Sequence, residues 1–162
     1  MKKLILTLAA TLIPFTTQAI EPEMPSEHAR KTYQIFRDLV EVDTSKTKGN
    51  TPKVAQYLAD ELIKAGCPEE DIEIPRIGDL AALIVRYRGN GSSGKKPVLF
   101  LGHMDVVEAL AKDWERPPFE LTFDDINFYG RGTIDNKFGV AQLTSTFIRL
   151  KKEGFVPSRD LY

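Results

Sequence analysis

The stretch "PVLFLGHMDVV", residues 97–107, runs from apolar side chains into a histidine and an aspartate two positions apart. An almost wholly apolar run of this length is typical of a strand buried in an α/β sheet. Side chains two positions apart in a strand point to the same side, so His103 and Asp105 are expected to face one way. Because ligands of open α/β sheets collect beyond the carboxyl ends of strands, the stretch predicts a candidate metal site there. A strand cap followed by a turn would also account for the two residues.

Patterns on both sides of this stretch predict helices mixed with strands. Apolar residues recur at helical spacing in three segments, at about residues 27–42, 51–66 and 138–152. In the second of these, Thr51 is the expected cap and Pro52 lies in the first turn. The runs "IEIPRIG" and "LAALIVRYRG" predict strands, and "ELTFDDINFYG" predicts a hairpin. This order predicts a layered α/β/α domain with a mixed, largely parallel sheet, which is incomplete because the strand starting near Leu161 has no partner run after it.

The N-terminus has the pattern of a secretory signal peptide. Two lysines precede a short apolar stretch, and the small residue Ala19 stands at the expected cleavage point. We therefore expect a signal peptide at 1–19, a tether with two prolines and two glutamates at 20–26, and a domain portion at 27–162. The protein is expected to be secreted or periplasmic. The apolar stretch is too short to span a bilayer comfortably, so no transmembrane segment is expected.

The composition argues against several functions. Hydrophobic residues make up 42% and charged residues 28% of the 162 residues, which is an ordinary globular balance. The net charge of −1 leaves no basic excess, so nucleic acid is not an expected partner. Cys67 is the only cysteine, which excludes an internal disulfide and a cysteine-based metal site.

A second stretch, "YGRGTIDNKFG" at residues 129–139, also carries candidate chemistry. Gly130 and Gly132 permit a tight turn or a close approach of the backbone. Asp135 comes just before the third predicted helix, whose dipole and free N–H groups stabilise a carboxylate. An isolated aspartate at this place is more often a helix cap that pairs with a lysine such as Lys137. The second stretch is therefore informative mainly in combination with the first.

Three motifs in order, "GHMDVV", "DWERPPF" and "YGRGTIDNKFG", resemble the M20 metallopeptidase family, which includes carboxypeptidases, dipeptidases and amino-acid deacylases. The resemblance covers about residues 27–162. It implies two divalent metal ions, expected to be zinc, with His103 as a ligand of one and Asp135 as a bridge between both. It also implies a catalytic role for Asp105, which would orient His103 and tune its basicity. Phe138 departs from the family pattern, which has glycine directly after the lysine.

The resemblance further implies that part of the catalytic machinery lies outside these 162 residues. A zinc site needs three or four ligands, and His103 and Asp135 give each metal at most two. The family has a glutamate general base, further ligands and a smaller inserted domain, often dimerising, later in the chain. We therefore expect the N-terminal portion of an exported hydrolase, inactive alone. Its substrate would be a small peptide or an N-acyl amino acid, and any homodimer would form through the absent domain.

Two other interpretations stay open. The chain would be a non-catalytic periplasmic binding or interaction domain if the motifs were retained only as structure. It would be an exported metal-binding chaperone if these residues alone bound zinc tightly, which two ligands seldom achieve.

Overall fold

The computed structural model describes residues 22–162, so the predicted signal peptide lies outside the described residues. This part of the chain contains the α-helices Glu27–Val40 (α1), Thr51–Lys64 (α2) and Lys137–Lys152 (α3). Its strands are Ile72–Glu73 (β1), Arg76–Ile77 (β2), Leu80–Ala81 (β3), Ile84–Val85 (β4), Thr122–Phe123 (β5) and Phe128–Tyr129 (β6). All three helices were predicted from apolar periodicity. None of the helices in this part of the chain is long and apolar enough to cross a membrane.

The strands pair in a mixed manner. Three antiparallel pairs join β1 to β4, β2 to β3 and β5 to β6, and the last pair is the predicted hairpin. Parallel pairing occurs at isolated bridges between Ser45 and Val106 and between Val98 and Leu161. The predicted α/β class is confirmed. Within residues 22–162, however, the named strand pairs are antiparallel and parallel pairing is confined to these bridges.

Residues 160–162 lie between two extended segments. Leu161 and Tyr87 exchange two backbone hydrogen bonds, with N···O distances of 2.8 and 3.0 Å. On the other side, the N–H and C=O of Tyr162 bond to segment 98–100 at 2.8 and 2.7 Å. Three extended segments therefore lie side by side: the one around Tyr87, residues 160–162 and residues 98–100. The segment that starts near Leu161 is the middle one and has backbone partners on both sides.

The core lies where α1 and α2 pack with α3 and the inner face of the strands. Its buried residues are Ile35, Phe36, Leu39, Val40, Val54, Leu58, Leu62, Cys67, Tyr87, Val140, Ala141, Phe147 and Ile148. Between α1 and α3, the hydroxyl groups of Thr32 and Ser145 lie 2.8 Å apart, which satisfies both within a part-buried contact. Cys67 follows α2 and is a free thiol within this core. Burial raises the pKa of the Cys67 thiol.

The apolar stretch predicted to be a buried strand is extended, and only its helix-facing side is partly covered. The ring of Phe100 lies 6.4 Å from that of Phe147 in α3. Leu99 and Leu101, which point the opposite way, are 65% and 82% exposed. Phe100 on the helix-facing side is also 45% exposed, so the expectation of full burial is wrong for the whole stretch. A continuous apolar run is typical of a strand covered on both sides, whereas residues 22–162 cover chiefly the helix-facing side.

The cap of α2 also differs from the prediction by one residue. The helix begins at Thr51, and Asn50 is its N-cap, with Pro52 in the first turn as expected. The Thr51 hydroxyl accepts a hydrogen bond from the backbone N–H of Ala81 at 3.0 Å. The Thr51 side chain, predicted to cap α2, therefore binds Ala81, which lies 30 positions away in the sequence.

Candidate metal site

The end of the extended segment 98–102 lies against the start of α3. Gly102 has no side chain at this contact, where a Cβ atom would lie 3.1 Å from both Asn136 Oδ1 and Val140 Cγ2. A larger residue would have to displace atoms that belong to the N-terminus of the helix. The close approach brings His103, the next residue, beside the loop that leads into α3.

His103 and Asp135 meet at this point although 32 positions separate them in the sequence. Nε2 of His103 lies 2.8 Å from Oδ1 of Asp135. The other ring nitrogen, Nδ1, lies 3.1 Å from the backbone oxygen of Asp105 and 3.3 Å from its carboxylate. The side chains of His103 and Asp135 are 49% and 83% exposed, so solvent and solutes reach the pair. The structure thus brings the three predicted site residues together.

Carboxylates on both sides of the ring make this place favourable for positive charge. The pKa of His103 is raised, first because of the hydrogen bond to Asp135. Partial burial opposes this rise, and the hydrogen bond to the Asp105 carbonyl adds to it. A metal ion and the ring proton compete for the same nitrogen, since imidazole binds a metal only in its neutral form.

The donor set suits a zinc ion. Zinc bonds to imidazole nitrogen and carboxylate oxygen are about 2.0–2.2 Å long, so two ligands of one tetrahedral ion are about 3.4 Å apart. The 2.8 Å between His103 Nε2 and Asp135 Oδ1 is a hydrogen-bond contact, so the two side chains would have to move apart by about 0.6 Å to hold one ion. Metal-bound histidines usually have a carboxylate or carbonyl partner on the other nitrogen, and Asp105 offers both. Residues 22–162 contain no group of three His, Cys, Asp or Glu side chains that could hold a metal.

Lys137 is buried behind the site. Its residue is 1% exposed, and its Nζ donates a hydrogen bond to the Val42 carbonyl at 2.7 Å. The ammonium also lies 5.9 Å from the centre of the Phe119 ring. Burial lowers the pKa of Lys137 to about 8, against the opposite influence of Asp43. The sequence offered a salt-bridging lysine beside Asp135. It carried no signal for a carbonyl partner 95 positions away.

The loop after α1 binds residues 104–106, the segment that follows His103. The Thr44 hydroxyl donates a hydrogen bond to the Met104 carbonyl at 2.7 Å. The next residue, Ser45, forms the parallel bridge to Val106. Thr44 and Ser45 are both buried. The loop therefore holds the segment that carries His103, while Lys137 ties the same loop to the start of α3.

Phe138, the residue that departs from the family pattern, packs on α1. Its ring lies 5.2 Å from that of Phe36 in an edge-to-face arrangement. The following residue, Gly139, lies so close to the Asn136 side chain that a Cβ atom would be 2.8 Å from Asn136 Oδ1. The close contact with Asn136 therefore requires a glycine at position 139, one position later than in the family pattern.

An α/β fold in which an imidazole and a carboxylate converge at the end of an extended segment is an arrangement found in metal-dependent hydrolases. Comparison with known families agrees with this class. The model of the family described as "Peptidase family M20/M25/M40" matches residues 99–162, which include His103, Asp105 and Asp135. This match and the sequence similarities below support an M20 metallopeptidase as the family that the chain resembles.

Relatives of known sequence and structure extend well beyond the matched region. The chain is 39% identical over 130 residues to "Probable succinyl-diaminopimelate desuccinylase" of Staphylococcus aureus strain Mu50, covering 79% of this chain and 30% of that protein. It is 39% identical over 82 residues to "Probable carboxypeptidase S-like 2" of Dictyostelium discoideum. This match covers 50% of this chain and 16% of that protein. The crystal structure of human carnosine dipeptidase 1 has the same fold, with a TM-score of 0.62 and 22% sequence identity. The superposition covers 83% of this chain and 31% of that protein. The chain spans less than a third of each of these proteins.

Replacing Gly102 by valine is expected to lower the free energy of unfolding by about 1–3 kcal/mol, because the new side chain overpacks the contact with α3. The measurement is urea unfolding followed by circular dichroism. Leu101→Val is the matched control in the same extended segment, because Leu101 is exposed and its replacement should change stability by less than about 0.5 kcal/mol. Equal stability of the two variants would contradict the close approach at Gly102.

Proposed function

We propose that this chain is part of an exported metal-dependent hydrolase that cleaves amide bonds of small peptides or N-acyl amino acids. The observation that carries the proposal is the 2.8 Å contact between His103 Nε2 and Asp135 Oδ1, with Asp105 on the other side of the ring. The match of residues 99–162 to the M20 family supports hydrolytic chemistry. The names of two relatives, a probable desuccinylase and a probable carboxypeptidase, support acyl amino acids or small peptides as substrates.

Each of the three residues has a proposed role. His103 would hold one of two divalent ions through Nε2, and the two oxygens of Asp135 would bridge both ions. Asp105, whose backbone oxygen lies 3.1 Å from Nδ1, would accept from Nδ1–H and so favour the tautomer in which Nε2 binds a metal. We propose zinc as the metal, because imidazole and carboxylate both suit it. When bound, the ions lower the pKa of a coordinated water and polarise the substrate carbonyl.

We propose further that this chain does not hydrolyse substrate alone. Asp105 lies beside the other nitrogen of the ring, and the described residues contain no group of three His, Cys, Asp or Glu side chains that could hold a metal. The chain also spans 30% of the Staphylococcus aureus relative. The remaining ligands, the general base and any dimerising domain would belong to a longer protein of this family.

The proposed location is the periplasm or the exterior of the cell, and it rests on residues 1–19 of the sequence. The charged start, the short apolar stretch and the small residue at position 19 support export. Alkaline phosphatase fused after residue 26 should be active in a bacterial periplasm, and removal of residues 1–19 should abolish that activity. Equal activity of both fusions would contradict export by this segment.

Zinc binding by the 162-residue chain should depend on the three site residues. We expect weak binding by isothermal titration calorimetry, and His103→Ala should remove it. Asp135→Asn should weaken it at least tenfold by removing a charged ligand. Asp105→Asn should weaken it by about 10–100-fold through loss of the orienting partner.

The control for this titration is Asp60→Asn, which removes an exposed carboxylate on α2, outside the three motifs, and should not change the affinity. Absence of zinc binding, or an affinity that His103→Ala and Asp135→Asn leave unchanged, would contradict the metal site. The second of these outcomes would favour the non-catalytic binding domain.

A chimera tests the reaction itself. The 130 matched residues would replace their counterparts in the Staphylococcus aureus relative. We expect zinc-dependent desuccinylation of succinyl-diaminopimelate, which Asp135→Asn abolishes and Asp60→Asn leaves unchanged, measured by release of succinate. A chimera that folds and binds zinc as the relative does, yet releases no succinate, would contradict the proposed function.

A further inference from the structure

One asparagine of this sequence is followed by a glycine, and the pair lies in an exposed loop. The other asparagines, Asn50, Asn127 and Asn136, precede threonine, phenylalanine and lysine. Asn90 and Gly91 are both exposed, and a Cβ atom at Gly91 would have no neighbour within 4 Å. Water and small bases therefore reach the peptide bond between the two residues directly from solvent.

The side chain of Asn90 is folded back over the main chain that follows it. The backbone N–H of Ser92 donates to Oδ1 of Asn90 at 3.0 Å, which closes an Asx turn. Cβ, Cα and the carbonyl carbon separate Cγ of Asn90 from the Gly91 nitrogen, so a bond between these two atoms closes a five-membered ring. Within residues 22–162, the Gly91 N–H donates no hydrogen bond that would hold this nitrogen back. The nitrogen and the amide carbon are therefore a nucleophile and an electrophile held close together.

The surroundings of the side-chain carbonyl favour attack on its carbon. A backbone N–H that points at a carbonyl oxygen stabilises the negative charge that develops when a nucleophile adds to the carbon. Ser92 supplies that donor in the folded loop. Lys95 and Lys96 follow in the same loop and are exposed, and Arg159 donates to the Lys96 carbonyl at 3.4 Å. These cations add a positive potential that also favours an anionic intermediate.

We propose that Asn90 is a site of spontaneous deamidation, through attack of the Gly91 nitrogen on the side-chain amide. A solvent base takes the proton of the Gly91 N–H, and the nitrogen forms a bond to Cγ of Asn90. The bond from Cγ to Nδ2 then breaks, and Nδ2 takes a proton and leaves as ammonia. Water opens the resulting succinimide ring at either of its carbonyl groups, which gives aspartate or isoaspartate at position 90.

The reaction balances without an oxidant or a reductant. An asparagine and a water molecule become a carboxylic acid and ammonia, and the base returns to its starting form. The modification adds a negative charge to a loop that is rich in lysine. This inference goes beyond the proposed hydrolysis and does not rest on it.

The isoaspartate product changes how the loop is attached to residues 157–158. The Asn90 N–H donates to the Pro157 carbonyl at 2.9 Å. On the other side of the pair, the N–H and hydroxyl of Ser93 donate to the Ser158 carbonyl at 3.2 and 3.0 Å. Isoaspartate lengthens the main chain by one carbon between these two attachment points, whereas aspartate leaves it unchanged. We therefore expect the isoaspartate form to lose the attachment at Ser93.

Incubation of the 162-residue chain at mildly alkaline pH tests the site. Trypsin cleavage after Arg88 and Lys95 releases the short peptide that contains Asn90, and mass spectrometry with chromatography separates its two products. We expect Asn90 to react first. Asn127 is also exposed but precedes Phe128, whose side chain hinders the peptide nitrogen, so it should react at least about tenfold more slowly.

Two glycine variants separate the attacking nitrogen from strain in the loop. Gly91 and Gly94 have φ values of +72° and +61°, and neither would bring a Cβ atom within 4 Å of another atom. Alanine at either position therefore strains the loop to a similar extent. Only Gly91→Ala crowds the attacking nitrogen, so it should slow deamidation at least about tenfold, whereas Gly94→Ala should leave the rate within about twofold.

Hydrogen exchange read by NMR tests the loss of attachment. In the isoaspartate form, separated by ion exchange, the Ser93 amide should exchange at least about tenfold faster than in the untreated chain. Asn90→Asp, which has the same charge and an unchanged main chain, should leave that rate unaltered. The Val54 amide, bonded within α2, is the internal control.

Four outcomes would overturn the proposal. The first is an unmodified Asn90 after the synthetic peptide acetyl-Arg-Gly-Asn-Gly-Ser-Ser-amide has been fully converted under the same conditions. The second is equal rates at Asn90 and Asn127. The third is equal slowing by Gly91→Ala and Gly94→Ala, which would assign the effect to loop strain. The fourth is unchanged exchange of the Ser93 amide in the isoaspartate form, which would overturn the change in attachment.

Discussion

The close packing of an extended segment on the first turn of α3 is the contact on which the site depends. It exists because residue 102 is a glycine, whose missing side chain leaves room for Asn136 and Val140. His103 follows directly and Asp135 precedes the helix, so this one contact converts a sequence separation of 32 residues into a distance of 2.8 Å. The family resemblance gave both residues a metal role, and the backbone contact explains how two side chains so far apart reach one point.

The buried ammonium group of Lys137 holds the loop after α1 next to that contact. The Lys137 ammonium has left water and donates to the Val42 carbonyl, and the lowered pKa of this lysine reflects the unfavourable transfer. Stability alone would favour an apolar residue of similar size at such a place. The hydrogen bond does, however, determine where the loop after α1 lies. Because Thr44 in that loop binds the Met104 carbonyl, the lysine connects α1, α3 and the histidine segment at once.

Sequence reasoning predicted the parts of this protein that have local signals. The three helices follow from apolar periodicity, and the β5–β6 hairpin from loose alternation with turn residues. The exposed face of Leu99 and Leu101 was not predictable, because an apolar run indicates what a strand prefers and not which elements cover it. Similarly, Lys137 and Thr44 bind carbonyl groups 95 and 60 positions away, and such pairs have no characteristic spacing. The pairing of His103 with Asp135 was anticipated only because three motifs together resemble a family.

Cys67 has a consequence for how the folded chain can be monitored. Its thiol is 6% exposed, lies within the core behind α2 and has a raised pKa. The reactive thiolate is therefore scarce, and burial slows the reaction of reagents with the sulfur in the folded chain. As the single cysteine of the sequence, it makes alkylation a direct reporter of conformational opening, with one modification event for each molecule that opens.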